Sequence, residues 1–249
     1  LSTDQVAALE SADVEVFFTS QIRALSSAQL AAMATTQVAR FGTSQVQAFV
    51  STTLKGLSDT QIIALNSEQI SAFTNTQWQS LSASQISAIS SDDFSALTVS
   101  KLRLLNTTQF AAVVTDQISA LNSEQLSQLL STQIVTLSET HIAAIRTTDI
   151  VALTNSQIAG LTTSQVAALS TLQISALTTQ QVRSIESSDI SSLGATQITA
   201  MSSDQFKNMS AAQLSQLNAT QIVAIDSSDL AALSTNQLRA LTTFAVRGL

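Results

Sequence analysis

Large apolar residues recur along the chain at two fixed positions of an eight-residue repeat. With Leu1 as position 1, the frame runs through thirty-one octads to Gly248 without an insertion or deletion, and Leu249 opens another. Positions 1 and 6 are apolar in every octad, and positions 2 to 5 are mostly polar. This regularity predicts a repeat architecture, so the length of the chain is no guide to the number of domains.

The polar residues between the apolar positions predict the start of a helix. Position 2 is Ser, Thr, Asn, Asp or Gly in twenty-three octads, and position 5 is Gln in twenty-two. A Ser or Thr followed three residues later by Gln is typical of a capping box, and the apolar residues at positions 1 and 6 fit the hydrophobic staple. Ser170 and Gln173, flanked by Leu169 and Ile174, are one clean instance.

The placement of charge supports helices independently. Sixteen of the seventeen acidic residues lie at positions 2 to 5, and eight of the ten basic residues lie at positions 7 or 8. Helix dipoles attract negative charge to the start and positive charge to the end of a helix, whereas a strand has no comparable axial dipole. The sorting therefore favours short helices over the alternative, a β-solenoid of the kind that pentapeptide repeats build.

A helix of six or seven residues needs neighbours, because isolated helices below roughly 12 to 15 residues are marginal. Octads that stack can cover one another's apolar residues, as in a solenoid. The sequence therefore predicts an all-α fold, a solenoid of very short helices built from the eight-residue repeat. We expect one continuous solenoid of 31 octads over residues 1–249, as a segment of a longer array.

Two signals bear on how many octads form one coil of the solenoid. Four aromatic residues at position 6 are separated by multiples of sixteen residues: Trp78, Phe94, Phe110 and Phe206. Three isoleucines at position 1, each in an octad with Asp at position 5, are instead spaced by forty: Ile145, Ile185 and Ile225. We favour two octads per coil, with a unit of five octads as the alternative.

Composition and charge narrow the classes of function. The chain has no cysteine, which excludes disulfides and cysteine-ligated metal sites. Charged residues make up 11% of the chain, the net charge is −7 and no basic cluster occurs, so nucleic acid is not expected as a partner. No apolar run approaches the roughly 18 to 20 residues of a membrane span, and no signal-peptide pattern opens the chain.

Few side chains are candidates for catalysis or for binding a metal ion or cofactor. His141, the only histidine, occupies position 5, where a solvated or capping role is favoured over catalysis. The adjacent pair Asp92 and Asp93 lies at a predicted helix start, and Trp78 occupies a core position. Sequons of the N-x-Ser/Thr type, which Ser/Thr-rich sequence produces by chance, begin at Asn106, Asn208 and Asn218. The sequence predicts no catalytic, cofactor-binding or metal-binding residue, no cofactor and no enzyme activity.

Two resemblances bear on function. Residues Leu161 to Leu169, LTTSQVAAL, resemble the opening helix of a TAL effector repeat, but the second helix, the base-reading loop and the basic stripe of that repeat are missing. The whole-chain pattern, Leu-Ser/Thr-x-x-Gln-Ile/Val-x-Ala, resembles octad tracts of very large bacterial surface and secreted proteins described as adhesin-like. This second resemblance implies an extracellular or cell-surface protein of bacterial origin.

The uniformity of the octads predicts a non-enzymatic structural role. A binding groove usually needs some repeats that differ on one face, whereas positions 3, 4 and 7 are mostly small, polar and interchangeable. We expect a rigid extracellular spacer, a stalk or a fibre-forming segment. The alternatives are a solenoid scaffold that binds a protein partner and, less favoured, a TAL-like nucleic-acid binder.

Neither end of the chain carries a polar capping octad. The first octad, LSTDQVAA, is as regular as an interior one, and the last, LTTFAVRG, keeps Leu241 and Val246 apolar and adds Phe244. Solenoids that stop in water usually finish with atypical, polar-faced repeats. We therefore expect copies to associate end to end, or the array to continue in a longer chain.

Overall fold

Each octad in the described part of the chain folds into one short α-helix that begins at position 3. The computed structural model describes residues 1–241, which contain thirty α-helices of four to six residues and no strand. The residue at position 2 is extended and serves as the N-cap, as at Ser170. The predicted all-α fold of very short helices is confirmed, and over residues 1–241 the β-solenoid alternative is wrong.

The predicted capping box fixes where the helices begin. The Ser170 hydroxyl accepts a hydrogen bond from the Gln173 N–H at 3.1 Å, and the Gln173 amide oxygen accepts from the Ser170 N–H at 2.8 Å. Where position 2 lacks an acceptor, the glutamine half remains, as between the Gln21 amide oxygen and the Phe18 N–H at 2.7 Å. Position 5 therefore caps the helix even without a Ser or Thr partner.

The described residues form two compact units. The first unit is Leu1–Leu121. Its fifteen helices are α1 (Thr3–Ala7), α2 (Ser11–Glu15), α3 (Thr19–Arg23), α4 (Ser27–Ala32), α5 (Thr35–Val38), α6 (Thr43–Ala48), α7 (Ser51–Leu54), α8 (Asp59–Ile63), α9 (Ser67–Ala72), α10 (Asn75–Ser80), α11 (Ala83–Ala88), α12 (Ser91–Ser95), α13 (Val99–Leu104), α14 (Thr107–Ala111) and α15 (Thr115–Ala120).

The second unit begins at Asn122. Its helices within the described range are α16 (Ser123–Gln128), α17 (Ser131–Ile134), α18 (Glu139–Ala144), α19 (Thr147–Ile150), α20 (Asn155–Ala159), α21 (Thr163–Ala167), α22 (Thr171–Ala176), α23 (Thr179–Ser184), α24 (Ser187–Ile190), α25 (Ala195–Thr199), α26 (Ser203–Asn208), α27 (Ala211–Leu214), α28 (Ala219–Val223), α29 (Ser227–Ala231) and α30 (Thr235–Ala240). The prediction of one continuous solenoid over 1–249 stays a prediction, and the final octad, with Phe244 and Val246, lies outside the described residues.

Within each unit the helices stack in three columns, because each helix packs against the helix three places further along the chain. In the first unit the columns begin with α1, α2 and α3, and in the second unit with α16, α17 and α18. Helix α4 thus packs on α1, and α19 on α16. One coil contains three octads, with 24 residues between the starts of stacked helices, so the expected coil of two octads is wrong.

The aromatic spacing that suggested two octads per coil does not follow the columns. Trp78 lies on α10, Phe94 on α12 and Phe110 on α14, and these helices belong to three different columns. Each of the three side chains is fully buried. Ring size at position 6 therefore fills space locally and does not report which octads stack.

The apolar side chains at positions 1 and 6 form the core of each unit, as predicted. Leu169 and Ile174, the predicted staple pair, are 2% and 1% exposed. The core of the first unit is rich in aromatic residues, namely Phe41, Phe49, Phe73, Trp78, Phe94 and Phe110. In the described part of the second unit, the buried aromatic residue is Phe206. The same helix arrangement therefore accommodates two different core compositions.

Position 8 allows close approach between coils at one glycine. A Cβ atom added to Gly56, which follows α7, would lie 2.2 Å from the carbonyl oxygen of Ser27 on α4, one coil earlier. At Gly160, which holds the same position in the second unit, the nearest atom would be the Ser156 carbonyl oxygen at 3.4 Å. Only the first of these two positions sterically requires glycine.

Candidate functional site: the links between coils

The side chain at position 5 reaches further than its capping role requires. In the capping box the amide oxygen accepts a hydrogen bond at the start of its own helix, which leaves the two N–H donors of the amide free. Gln173 is 1% exposed, so its donors cannot be satisfied by water. Such donors need partners within the protein, because an unpaired buried donor is costly.

The Gln173 amide nitrogen donates to two main-chain carbonyls of the preceding coil. The acceptors are the carbonyl oxygens of Ile142 at 2.8 Å and Ile145 at 2.7 Å, at the end of α18. Helix ends leave carbonyls without intrahelical partners. A single side chain thus caps the start of α22 and the end of α18.

We call this contact between a position-5 side chain and the main-chain carbonyls of the preceding coil a link. The same link recurs with the same spacing in both units. In the first unit, Gln85 donates to the carbonyls of Leu54 and Leu57, each at 2.8 Å. The acceptors lie 31 and 28 residues before the donor in every such link. The glutamines that make both contacts include Gln37, Gln45, Gln61, Gln69, Gln77, Gln85, Gln109, Gln117, Gln157, Gln165, Gln173, Gln181, Gln205, Gln213, Gln221 and Gln237.

Other donors can replace glutamine at position 5. The Thr53 hydroxyl donates to the Leu25 carbonyl at 3.2 Å, and the Lys101 ammonium donates to the Phe73 carbonyl. Both acceptors lie 28 residues earlier, as in the glutamine links. A donor that reaches this carbonyl is therefore the common element.

Lys101 also contacts the largest side chain of the core. Its ammonium group lies 6.0 Å from the centre of the Trp78 ring, and the Trp78 indole N–H donates to the Lys101 carbonyl at 2.9 Å. Burial lowers the pKa of the Lys101 ammonium, because desolvation disfavours the charged form. Trp78, predicted to belong to the core, is fully buried.

His141 takes the capping role that its position predicts. Its Nδ1 atom accepts a hydrogen bond from the Ser138 N–H at 3.1 Å, as a glutamine amide oxygen does elsewhere. The side chain is buried rather than solvated, and burial lowers the pKa of the imidazole. The neutral ring is the form that can accept this bond.

Aspartate at position 5 reverses the direction of the link. Asp189, which is 5% exposed, accepts a hydrogen bond through Oδ1 from the Thr163 hydroxyl at 2.5 Å. Asp149 accepts likewise from the Ser123 hydroxyl at 2.5 Å, and its second oxygen pairs with Arg146 at 2.5 Å. The donor in each pair is a side chain 26 residues earlier, and not the main chain.

The remaining candidates lie at helix starts. Asp92 and Asp93 lie in the first turn of α12, as predicted, and Asp93 accepts hydrogen bonds from the Ser67 and Ser90 hydroxyls. Of the sequon asparagines, Asn106 and Asn218 are N-caps, and the Asn208 side chain donates to the Asp204 carbonyl. Across residues 1–241, no three acidic or histidine side chains converge as ligands of a metal ion would.

Sequence reasoning identified position 5 as a cap and missed its role between coils. A signal for that role is present, because no octad has Glu at position 5. Glu would cap the N–H equally well and would suit the helix dipole better, but it cannot donate. The preference for Gln therefore indicates that a donor is needed.

The chain matches a known repeat family along most of its length. The family model described as the ALTTAQ repeat matches residues 6–43, 38–75, 86–122, 142–179, 182–219 and 222–249. The last three matches begin forty residues apart, which agrees with the forty-residue spacing of Ile145, Ile185 and Ile225.

No curated protein matches the chain in sequence. The resemblances to adhesin-like tracts and to TAL effector repeats therefore stay predictions. Among the helices of residues 1–241, none has the length and apolar character needed to cross a bilayer. Six family matches on a framework of recurring short helices lead to one conclusion, that the chain belongs to the ALTTAQ repeat family.

Proposed function

We propose that the chain is a non-enzymatic structural segment, a rigid spacer or fibre element of a bacterial surface or secreted protein. The observation that carries this proposal is the link at position 5, which joins successive coils of both units through the main chain. Such links resist separation of the coils whatever the outward side chains are. A spacer needs this resistance and needs no specific ligand.

Labelling of intact cells tests the extracellular part of the proposal. An antibody raised against this segment should bind unpermeabilised cells of the source bacterium, or the segment should be recovered from their medium. An antibody against a cytoplasmic protein of the same cells is the control. Signal that appears only after permeabilisation would show that the location is wrong.

Mechanical unfolding tests the structural role. Single molecules held by both ends should resist force in many similar steps, because coils within each unit are tied together by the same type of link. Gln173→Ala should weaken the steps that involve the second unit. Leu172→Ala, a change at a neighbouring side chain that is 68% exposed, is the matched control. Unfolding at negligible force would contradict a mechanical role as a spacer.

End-to-end association of copies is a further part of this proposal. Leu1 is 70% exposed and Phe17 is only half-buried, whereas position 1 is buried in the later coils of the first unit. Val16 and Phe18 beside them are 74% and 73% exposed. Either association of copies or continuation of the array in a longer chain would cover these side chains. For the segment produced alone, sedimentation should show association that grows with concentration. A chain that stays monomeric at high concentration would remove this part of the proposal.

One observation favours a protein-binding scaffold as the second candidate. Three exposed aliphatic side chains lie along a single column of the second unit: Val151 at the C-cap of α19, Leu172 on α22 and Val223 at the end of α28. A partner that binds this column should be lost when Leu172 and Val223 are both replaced by Ser. Retention of the partner by that variant would contradict this role for the column.

A further inference from the structure

Four aspartates at position 5 each accept a hydrogen bond from a hydroxyl of the preceding coil. The donor lies 26 residues earlier in every case, at position 3 of its octad. The pairs are Asp93 with Ser67, Asp149 with Ser123, Asp189 with Thr163 and Asp229 with Ser203. These links therefore depend on the identity of a side chain in the preceding coil.

The glutamine links carry no such dependence. Their acceptors are main-chain carbonyls, which every octad offers at the same two positions. A shift of one coil against the next by eight residues would keep the apolar pattern and would offer each glutamine equivalent acceptors. Glutamine at position 5 therefore holds the coils together without selecting which octads pack together.

An aspartate does discriminate between octads where hydroxyls are sparse. At position 3, Ser203 is preceded one octad earlier by Ala195 and followed one octad later by Ala211. A shift by one octad in either direction would leave Asp229, which is 8% exposed, facing alanine in place of its hydroxyl donor. Desolvated carboxylates without a donor are unfavourable, so the shifted arrangement is disfavoured.

In the first unit, Asp93 discriminates against a shift in one direction. Ser67, the partner of Asp93, lies between Asp59 and Asn75 at the corresponding positions of the neighbouring octads. Asp59 has no donor and carries like charge, whereas the Asn75 amide can donate. Asp149 discriminates less, because both neighbours of Ser123 at position 3 are hydroxyl residues. Asp229 is thus the aspartate whose partner has no donor side chain at the corresponding position of either neighbouring octad.

We propose that aspartate at position 5 determines register: it selects which octad packs on which in successive coils, while glutamine supplies cohesion. Asp229, and in one direction Asp93, are then positioning residues for the stacking of the repeats. This inference concerns the chain itself and holds whether or not the chain is an extracellular spacer. A buried polar residue that sets register at some cost in stability is known from other helical assemblies.

A double-mutant cycle tests the pairing. Ser203→Ala should lower the folding equilibrium constant roughly tenfold, because it leaves the Asp229 carboxylate without a donor. Asp229→Gln should fold, since a glutamine there would face the carbonyls of Ile198 and Met201 at the usual spacing. In that background Ser203→Ala should have almost no effect. Thr179→Ala, the equivalent change beneath the glutamine link of Gln205, is the matched control. Equal losses in both backgrounds would overturn the pairing.

A distance measurement tests the register itself. Spin labels on Lys207→Cys and Ala231→Cys lie one coil apart at equivalent exposed positions of a chain that has no other cysteine. After refolding, pulsed electron paramagnetic resonance should give a single distance between the two labels when the rest of the chain is unchanged. A chain that carries Asp149→Gln, Asp189→Gln and Asp229→Gln should give a second distance in addition, because some molecules then fold with their coils shifted by one octad. The same single distance in both chains would overturn the role in register.

Discussion

The two units build the same coil from different cores. In the first unit Phe41 and Phe49 form an edge-to-face pair, with ring centres 5.0 Å apart at 88°, and Trp78 fills the space beside Lys101. The described core of the second unit is almost entirely aliphatic, apart from Phe206. Their links also differ, because threonine and lysine occupy position 5 only in the first unit, at Thr53 and Lys101.

The difference teaches which features the fold requires. Core side chains vary in size and shape between the units, yet the stacking of every third helix does not. What both units share is a position 5 that caps one helix and reaches the preceding coil. Substitutions at matched positions of the two units should therefore separate what the core contributes from what position 5 contributes.

The largest effect should come from emptying the aromatic core. Trp78→Ala should cost about 3 to 5 kcal/mol of unfolding free energy, through a large cavity and the loss of the indole hydrogen bond to Lys101. Phe206→Ala, at the same octad position in the second unit, should cost about as much. Chemical denaturation measures both. A loss no greater than that of Ile63→Ala, at a side chain that is 61% exposed, would contradict the assigned core.

Replacing glycine at position 8 should destabilise the first unit and not the second. Gly56→Ala should cost about 1 to 3 kcal/mol, because the added methyl group collides with the Ser27 carbonyl. Gly160→Ala meets no contact shorter than 3.4 Å and should leave stability unchanged or slightly raised. Thermal unfolding of the two variants tests this. Equal effects would show that the close approach at Gly56 is not a constraint.

Removing a link should lower stability more where the side chain both caps its helix and contacts two carbonyls of the preceding coil. Gln173→Ala removes a cap and two contacts with the preceding coil and should cost roughly 1 to 3 kcal/mol. Thr53→Ala removes one bond of 3.2 Å and should cost less. Hydrogen exchange of the main-chain amides in the adjoining coils should report both losses. If the order is reversed, the link does not carry the stability assigned to it.

Replacing an aromatic residue at position 1 by leucine, the usual residue there, should lower the unfolding free energy only slightly. Phe49→Leu loses the edge-to-face contact with Phe41 and should cost about 0.5 to 1.5 kcal/mol beyond the change in buried area. A double-mutant cycle with Phe41→Leu isolates the contact. Additive effects of the two changes would show that the ring pair contributes nothing specific.

The smallest effect should be a pH dependence from His141. Because burial lowers the pKa of the folded imidazole, the unfolded chain binds the proton more readily below the ordinary value of about 6.5. The contribution to stability is therefore complete above that value and is lost as the pH falls below it. His141→Gln should remove this dependence, as measured by denaturation midpoints at about pH 7.5 and 5.5. An unchanged dependence would place its source elsewhere.

Most of the local structure could be predicted from the sequence. Helix starts depend on residues within one octad, such as Ser170 and Gln173, and the structure places the caps where the pattern predicts them. Burial at positions 1 and 6 follows from the same repeat. These features require contacts only within an octad or with any neighbouring octad.

The number of octads per coil could not be predicted, for a physical reason. The links end on main-chain carbonyls, as at Ile142, which leave no trace in the choice of side chains. No residue type therefore has to recur every 24 residues, and the aromatic residues followed a different spacing. The second role of Gln173 was open to inference from the absence of Glu, which is a signal about chemistry and not about periodicity.

The mismatch between the forty-residue family spacing and the 24-residue coil has a consequence for how such genes can change. Three sequence repeats span the same length as five coils, so Asp149, Asp189 and Asp229 lie on three different columns of the second unit. Duplication or loss of a forty-residue block preserves every apolar position, yet it moves all later outward side chains to another column. Recombination within the array can therefore redistribute outward side chains among the columns while each octad keeps its own fold.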